Sequence, residues 1–162
     1  MADSNSWADK SVQASIIEAA GGLNKPLILK GSGTGGLIFY QPAPAAINAT
    51  ATATAAQLRA GIMTSTSAAA VALTLPTAVA LAAYINGGAA ARNGTKLQVG
   101  SAFDIAVINT GSNGITMTAS TGITLVGEAV VVGDTSSVYR LRFTDVTVGA
   151  EVAVLYNLAT SA

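Results

Sequence analysis

The sequence predicts a mainly β protein: an antiparallel β-sandwich or barrel with short helices and an N-terminal arm. Three segments alternate apolar and polar residues with the period of two that half-buried strands show: AFDIAVIN, SVYRLRFT and EVAVLYN. Turn residues separate the predicted strands at intervals of about ten positions, as in sandwiches and barrels: Asn109–Gly114, Thr121 with Gly122, Gly133 with Asp134, and Val148 with Gly149. A chain of 162 residues can bury a core without disulfides, so one domain with an arm is expected.

The arm is predicted to span residues 1–45, and the β-rich outer domain residues 46–162. Ser6 and Asp9 form a variant capping box that begins a helix with a narrow apolar stripe. Two short strands, PLILK and LIFYQ, follow, and the prolines of QPAPAA favour an extended linker. Apolar side chains of the arm are its predicted partner contacts: Trp7, Val12, Ile16, Leu27, Leu29, Phe39 and Tyr40. For Phe39 and Tyr40, ordinary core packing is the alternative.

The outer domain begins with alternating alanines and threonines from Ala49 to Thr54, which indicate a strand. Thr54 and Gln57 form a capping box for a very short helix that ends at Gly61. The segment IMTSTSAAAVALTL is typical of one or two strands. Thr77 then caps a helix that continues to Ile85.

The last third of the chain carries the clearest strand patterns. Three apolar sets are each expected on one face of a strand: Phe103, Ile105 and Val107; Tyr139, Leu141 and Phe143; Val152, Val154 and Tyr156. The run from Ile115 to Val132 is predicted to form hairpins with threonines on their outward face. No repeat of fixed period is evident.

Composition excludes several kinds of chemistry. The chain has no cysteine and no histidine, so thiolate sites, disulfides and Ser/His pairs are absent. Charged residues make up 10% of the chain, against about 25% in an ordinary domain. From Gly31 to Ala91 the single ionisable side chain is Arg59. We expect neighbouring polypeptides to cover much of this segment.

No catalytic, metal or cofactor site is predicted. GSGTGG matches G-x-G-x-x-G, but a strand and prolines follow it where a dinucleotide site needs a helix. The acidic residues of the outer domain are well separated and fall mostly at turns and strand ends, although a calcium site shared between subunits is an alternative. Arg140 and Arg142 on one strand face are candidates for binding an acidic partner surface, and a solvated face that blocks edge pairing is the other interpretation.

Charge and hydropathy also argue against nucleic acid and membrane as partners. The net charge is zero, with no basic cluster for phosphates or lipid headgroups. The apolar run from Ser67 to Ile85 consists largely of alanine and contains Pro76, which indicates a strand end followed by a helix. The first residues lack a signal-peptide pattern, so synthesis and retention in the cytoplasm are expected.

The segments LTLPTAVALAAYI, VGSAFDIAVINTG, GITMTASTGITLVG, GDTSSVYRLRFTDV and EVAVLYNL together suggest a family. From about Ala49 to Leu158 the chain resembles capsid decoration (cement) and head-fibre proteins of tailed bacteriophages. The resemblance implies a non-enzymatic homotrimer on the outer surface of the virion, whose arm contacts the major capsid protein. The alternative is a fibre or spike tip that recognises a host receptor, for which the outer domain offers Tyr84, Tyr139 and Tyr156 as aromatic contacts.

Overall fold

A computed structural model describes residues 41–87 and 97–161, which form ten strands and two short helices. The described chain is mainly β, as predicted. The arm residues 1–40 lie outside the described residues. The partner contacts predicted from Trp7 to Tyr40 and the glycine loop GSGTGG fall there, so these stay predictions.

The first six strands wind as three stacked coils, each of which contributes one strand to each of two sheets. The first strands of the coils are parallel neighbours in a six-stranded sheet: β1 (Ala45–Ala46), β3 (Ile62–Ser65) and β5 (Ala102–Asn109). The second strands are parallel neighbours in a four-stranded sheet: β2 (Ala51–Thr52), β4 (Val71–Thr74) and β6 (Ile115–Thr118). The alternation at Ala49–Thr54 thus yields a strand of two residues.

A short helix follows the second strand in each of the first two coils, and each helix begins at a predicted threonine cap. The first helix, α1 (Ala55–Arg59), has a complete capping box between Thr54 and Gln57. The second, α2 (Ala78–Ile85), begins where the Thr77 hydroxyl accepts a hydrogen bond from the Ala80 amide at 3.1 Å. The cap predictions are confirmed.

The remaining strands make both sheets mixed. These strands are β7 (Ile123–Val126), β8 (Val130–Val131), β9 (Thr135–Asp145) and β10 (Val152–Thr160). β9 lies antiparallel between β5 and β10, while β7 adds in parallel to the other side of β10. β8 pairs antiparallel with β6. The prediction of antiparallel sheets was therefore wrong for the coils, because successive coils run in the same direction.

The predicted hairpins between Ile115 and Val132 are also absent from the described structure. β6 and β7 belong to different sheets, because the chain crosses from one sheet to the other at Thr121 and Gly122. Gly122 adopts φ +79°, which supports the predicted turn. The turn is therefore confirmed, whereas the predicted hairpin pairing of β6 with β7 is wrong.

One apolar core receives side chains from both sheets and both helices. The predicted faces of β5 and β9 are confirmed, because Ile105, Val107, Tyr139, Leu141 and Phe143 are all fully buried. β10 is different. It buries Ala153 and Leu155, whereas its bulkier set, Val152, Val154 and Tyr156, shares the opposite face and points away from this core.

Polar side chains at the corners bind one coil to the next. The Asn48 carboxamide oxygen accepts a hydrogen bond from the Thr66 amide at 2.8 Å, and the Thr50 hydroxyl accepts one from the Ala72 amide at 3.1 Å. The Thr110 amide and hydroxyl both donate to the Ser65 carbonyl. These contacts satisfy backbone groups where the strand ladders end. Part of the serine, threonine and asparagine content of the chain therefore has a structural role.

Candidate interaction surfaces

The side chains that alternate with core residues on the six-stranded sheet form a surface that we call the outer face. Its charged members lie on β5 and β9: Asp104, Arg140 and Arg142. Its larger apolar members lie on β5, β7, β9 and β10: Ile108, Val126, Val138, Val152, Val154 and Tyr156. Strand register places these side chains as cross-strand neighbours.

An ion pair lies near the centre of the outer face. Asp104 and Arg140 are directly opposed on β5 and β9. The Arg140 Nε donates to Asp104 Oδ1 at 2.7 Å, and a second guanidinium nitrogen donates to Oδ2 at 2.8 Å. These hydrogen bonds are the main cause of a lowered pKa of Asp104 and a raised pKa of Arg140, with the mutual Coulomb attraction acting in the same direction. About half of each side chain is exposed, so the pair contributes little stability and mainly fixes the guanidinium in place.

Apolar side chains flank this ion pair. Tyr156 is the register partner of Arg140 on the other side of β9, and Val126 is in turn the partner of Tyr156. Val126 is 46% exposed, and Val138 and Ile108 are also exposed on the same surface. A sheet face in contact with water is normally polar. The outer face is therefore unusually apolar for a solvated surface.

The outward surface of the four-stranded sheet has a different composition. The core-facing residues of β4 and β6 are buried, and their outward neighbours are alanine and threonine: Ala72, Thr74, Thr116 and Thr118. Hydroxyls can bond to water, and a β-branched side chain suits a pleated strand. Of the threonines predicted to face outwards between Ile115 and Val132, Thr116 and Thr118 lie on this surface, whereas Thr124 lies on β7 of the six-stranded sheet.

Residues 41–87 carry almost no charge, although many of them are exposed. Arg59 is the single charged residue of this range, and its guanidinium carbon lies 4.6 Å from the centroid of the Phe103 ring. Helix α2 contains no charged residue, and its Val79 and Tyr84 side chains are 38% and 49% exposed. The low charge noted in the sequence is thus a property of exposed surface in this range.

Only two of the nine predicted contact residues are described by the structure. Arg140 and Arg142 both lie exposed on β9, as the alternation predicted. Arg140 is engaged by Asp104, whereas Arg142 has no ion-pair or hydrogen-bond partner among the described residues. Sequence reasoning did not single out Val126 and Val138, and it named Tyr156 only as an aromatic contact for the alternative receptor-binding function. The signal was present in VAVLY of β10, which is apolar on both faces, as strands covered on both sides are.

The acidic side chains of the described residues are not clustered for metal binding. No group of three or more acidic side chains is placed to hold an ion within residues 41–87 and 97–161. Asp145 accepts a hydrogen bond from the Thr147 amide at 2.8 Å, and this bond lowers the pKa of Asp145. Its position is a tight turn at the end of β9, which agrees with the structural role predicted for it. No described helix is long and apolar enough to cross a membrane.

Two shallow depressions lie at the ends of the sheets. One, of about 300 Å³, opens beside β1 and β2 and is lined by small apolar residues with Asn48 and Gln57. The other, of about 240 Å³, lies beside Asp134 and the hydroxyl groups of Thr135, Ser136 and Ser161. Ligand pockets usually measure about 300–1,000 Å³ and enclose most of the ligand. Neither depression is as well formed a candidate as the outer face.

Comparisons of the chain with protein-family models, with curated proteins and with solved structures found no match.

Proposed function

We propose that this protein is a structural component of a phage virion, which binds the outside of an assembled capsid as a homotrimer and stabilises or decorates it. The observation that carries the proposal is the exposed and nearly uncharged surface of residues 41–87, on which Arg59 is the single charged residue. Soluble domains that remain monomeric usually carry about 25–35% charged residues on their surface. A surface with so little charge suits close contact with other polypeptides.

The geometry supports a role in binding. Asp104 and Arg140 are engaged in an ion pair, Asp145 lies in a turn, and the polar corner residues are engaged in hydrogen bonds between coils. Decoration requires only differential affinity: a protein that binds the assembled shell and not its separate subunits stabilises the shell by its binding free energy. At a free concentration 100 times the Kd, that stabilisation is about 2.7 kcal/mol per site.

Symmetry supports weak individual contacts. A cyclic trimer repeats one contact three times, and a shell lattice offers many equivalent sites. If each arm of a trimer engages the shell, the second and third contacts form at a high effective concentration. The resemblance assigns shell contact to residues 1–45, and we propose that the β-rich domain projects from the shell.

The decisive experiment is a copy-number measurement on purified particles of the phage that encodes the chain. Quantitative mass spectrometry against the major capsid protein should give hundreds of copies per particle. A handful of copies would contradict decoration and support the receptor-binding tip. Particles that lack the protein should also release their DNA at a lower temperature, and purified protein added back should restore the wild-type temperature.

A further inference from the structure

We propose that the outer face of the six-stranded sheet is the surface through which one copy of the chain packs against a second copy, with Tyr156 and Arg140 at the centre of the contact. The inference deepens the proposed function, because it rests on self-association. It assigns that self-association to one sheet of the described domain.

The two sheets of the same molecule provide an internal comparison. On the four-stranded sheet, the outward positions of β4 and β6 are alanine and threonine. On the outer face of the six-stranded sheet, four exposed large apolar side chains lie on β5, β7, β9 and β10: Ile108, Val126, Val138 and Val152. If both outward surfaces were in contact with water, similar side-chain polarity would be expected on both sheets. The difference indicates that the four-stranded sheet meets water and the six-stranded sheet meets protein.

The charges on the outer face favour a copy of this chain as the occupant. The carboxylate of Asp104 is already paired with Arg140, which leaves Arg142 as the one unpaired charge of the outer face. Because the net charge of the face is a single positive charge, it offers little attraction to a strongly acidic partner and none to a basic one. The rest of the described molecule offers a matching surface, because Arg59 is the single charged side chain of residues 41–87. Contact with such a surface adds few further ions to be desolvated beyond Asp104, Arg140 and Arg142 of the outer face itself.

The size of the face also fits a subunit contact. Strands about 4.8 Å apart that rise about 3.3 Å per residue give the central strands a footprint of roughly 500 Å² in projection. Side-chain relief makes the accessible area larger, and a standard interface buries about 800 Å² per partner. The outer face together with its rim therefore approaches the area that a stable contact needs.

The centre of the face has the composition of an interface core. Tyrosine and arginine are enriched among the residues that contribute most to binding. Tyr156 lies opposite Arg140 in the strand register, and the bidentate bond from Asp104 holds the guanidinium in one orientation before any partner arrives. Less conformational entropy is then lost on association.

Single cysteines provide a direct test, because the chain has none of its own. Val126→Cys places a thiol on the outer face, and Thr118→Cys places a matched thiol on the exposed surface of the four-stranded sheet. Maleimide labelling rates of both full-length variants are measured from dilute to concentrated protein. We expect the thiol at position 126 to react about tenfold more slowly in concentrated protein, because an interface core excludes water and reagent, while the thiol at 118 reacts equally at all concentrations.

Each other outcome overturns the proposal in a different way. Protection of position 126 that persists at dilutions where native mass spectrometry shows a monomer would mean that other residues of the same chain cover the face. Equal reactivity at both positions at every concentration would mean that nothing covers it. Concentration-dependent protection at 118 but not at 126 would place the contact on the other sheet.

A second pair of variants controls for folding and separates this inference from the proposed function. Val138→Arg should convert the associated protein to a folded monomer in native mass spectrometry, and Thr116→Arg should leave it associated. A trimer that persists in Val138→Arg contradicts the interface and leaves decoration intact. Normal association of the wild-type chain without binding to shells contradicts decoration and leaves the interface intact.

Discussion

The stacking of the coils can be tested at Gly111, in the corner between β5 and β6. A Cβ atom added there would overlap the Ser67 carbonyl oxygen and lie 2.8 Å from the Ser67 nitrogen and 2.9 Å from its carbonyl carbon. All three are backbone atoms of the preceding corner, so no side chain can rotate away. Gly111→Ala should therefore push two coils apart. Overpacking typically costs about 1–3 kcal/mol, and we expect the upper end of that range or more here.

Gly149→Ala is the matched control. Gly149 lies in the turn between β9 and β10 at φ +82°, with no atom within 4 Å of an added Cβ. Its substitution isolates the conformational cost of a left-handed residue, about 1 kcal/mol. Gly111, by contrast, is not among the residues of positive φ, so its substitution isolates the steric overlap.

Urea unfolding followed by circular dichroism measures both variants. The free energy of unfolding should fall by about 3 kcal/mol or more in Gly111→Ala and by about 1 kcal/mol in Gly149→Ala. In thermal melts, at about 4 °C per kcal/mol, these losses correspond to shifts of roughly 12 °C and 4 °C. A smaller loss in Gly111→Ala than in Gly149→Ala would refute the close contact between corners.

Three further predictions concern a buried amide, the ion pair and the arm. Asn109→Ala should lower the free energy of unfolding by about 2–3 kcal/mol in urea titrations, because the buried Asn109 amide donates to the carbonyls of Asn113, Val131 and Val132; a loss below about 1 kcal/mol would contradict this. The ion pair stabilises the fold above the ordinary Asp104 pKa of 3.8, and this contribution is lost as the pH falls through the lower folded pKa. The difference in unfolding free energy between wild type and Asp104→Asn should therefore shrink on acidification, and a constant difference would count against the assigned hydrogen bonds. Deletion of residues 1–23 should leave a folded, associated protein that no longer sediments with capsids, and retained binding would remove the anchoring role of the arm.

The sequence was most informative where a signal was local. The caps at Thr54 and Thr77 depend on residues within one helical turn, and both helices begin where those residues predict. The alternation in β9 also depends on neighbouring positions, and its buried face is as expected. Such patterns can be recognised in the sequence without knowledge of the fold, because the backbone geometry that creates them repeats every two or four residues.

The stacking of coils could not be predicted from the sequence, for a physical reason. Ala45 pairs with Met63, whereas Ile62 pairs with Ala106, so the interval between equivalent positions more than doubles from one coil to the next. The helices and loops inserted after β2 and β4 differ in length, and no fixed period survives in the sequence. The corner hydrogen bonds join residues as far apart as Ser65 and Thr110, which single-sequence patterns do not connect.

The orientation of β10 links fold and proposed function. Val152, Val154 and Tyr156 share one face, as predicted, but the structure buries the other face, with Ala153 and Leu155. The adjacent β9 already fills the core with Tyr139 and Phe143, both fully buried, and Ala153, the register partner of Phe143, leaves room for that ring. The larger side chains of β10 are then presented outwards beside Arg140. Stability of the monomer does not require bulky apolar residues at those positions, so their presence is better explained by a contact that forms after the chain has folded.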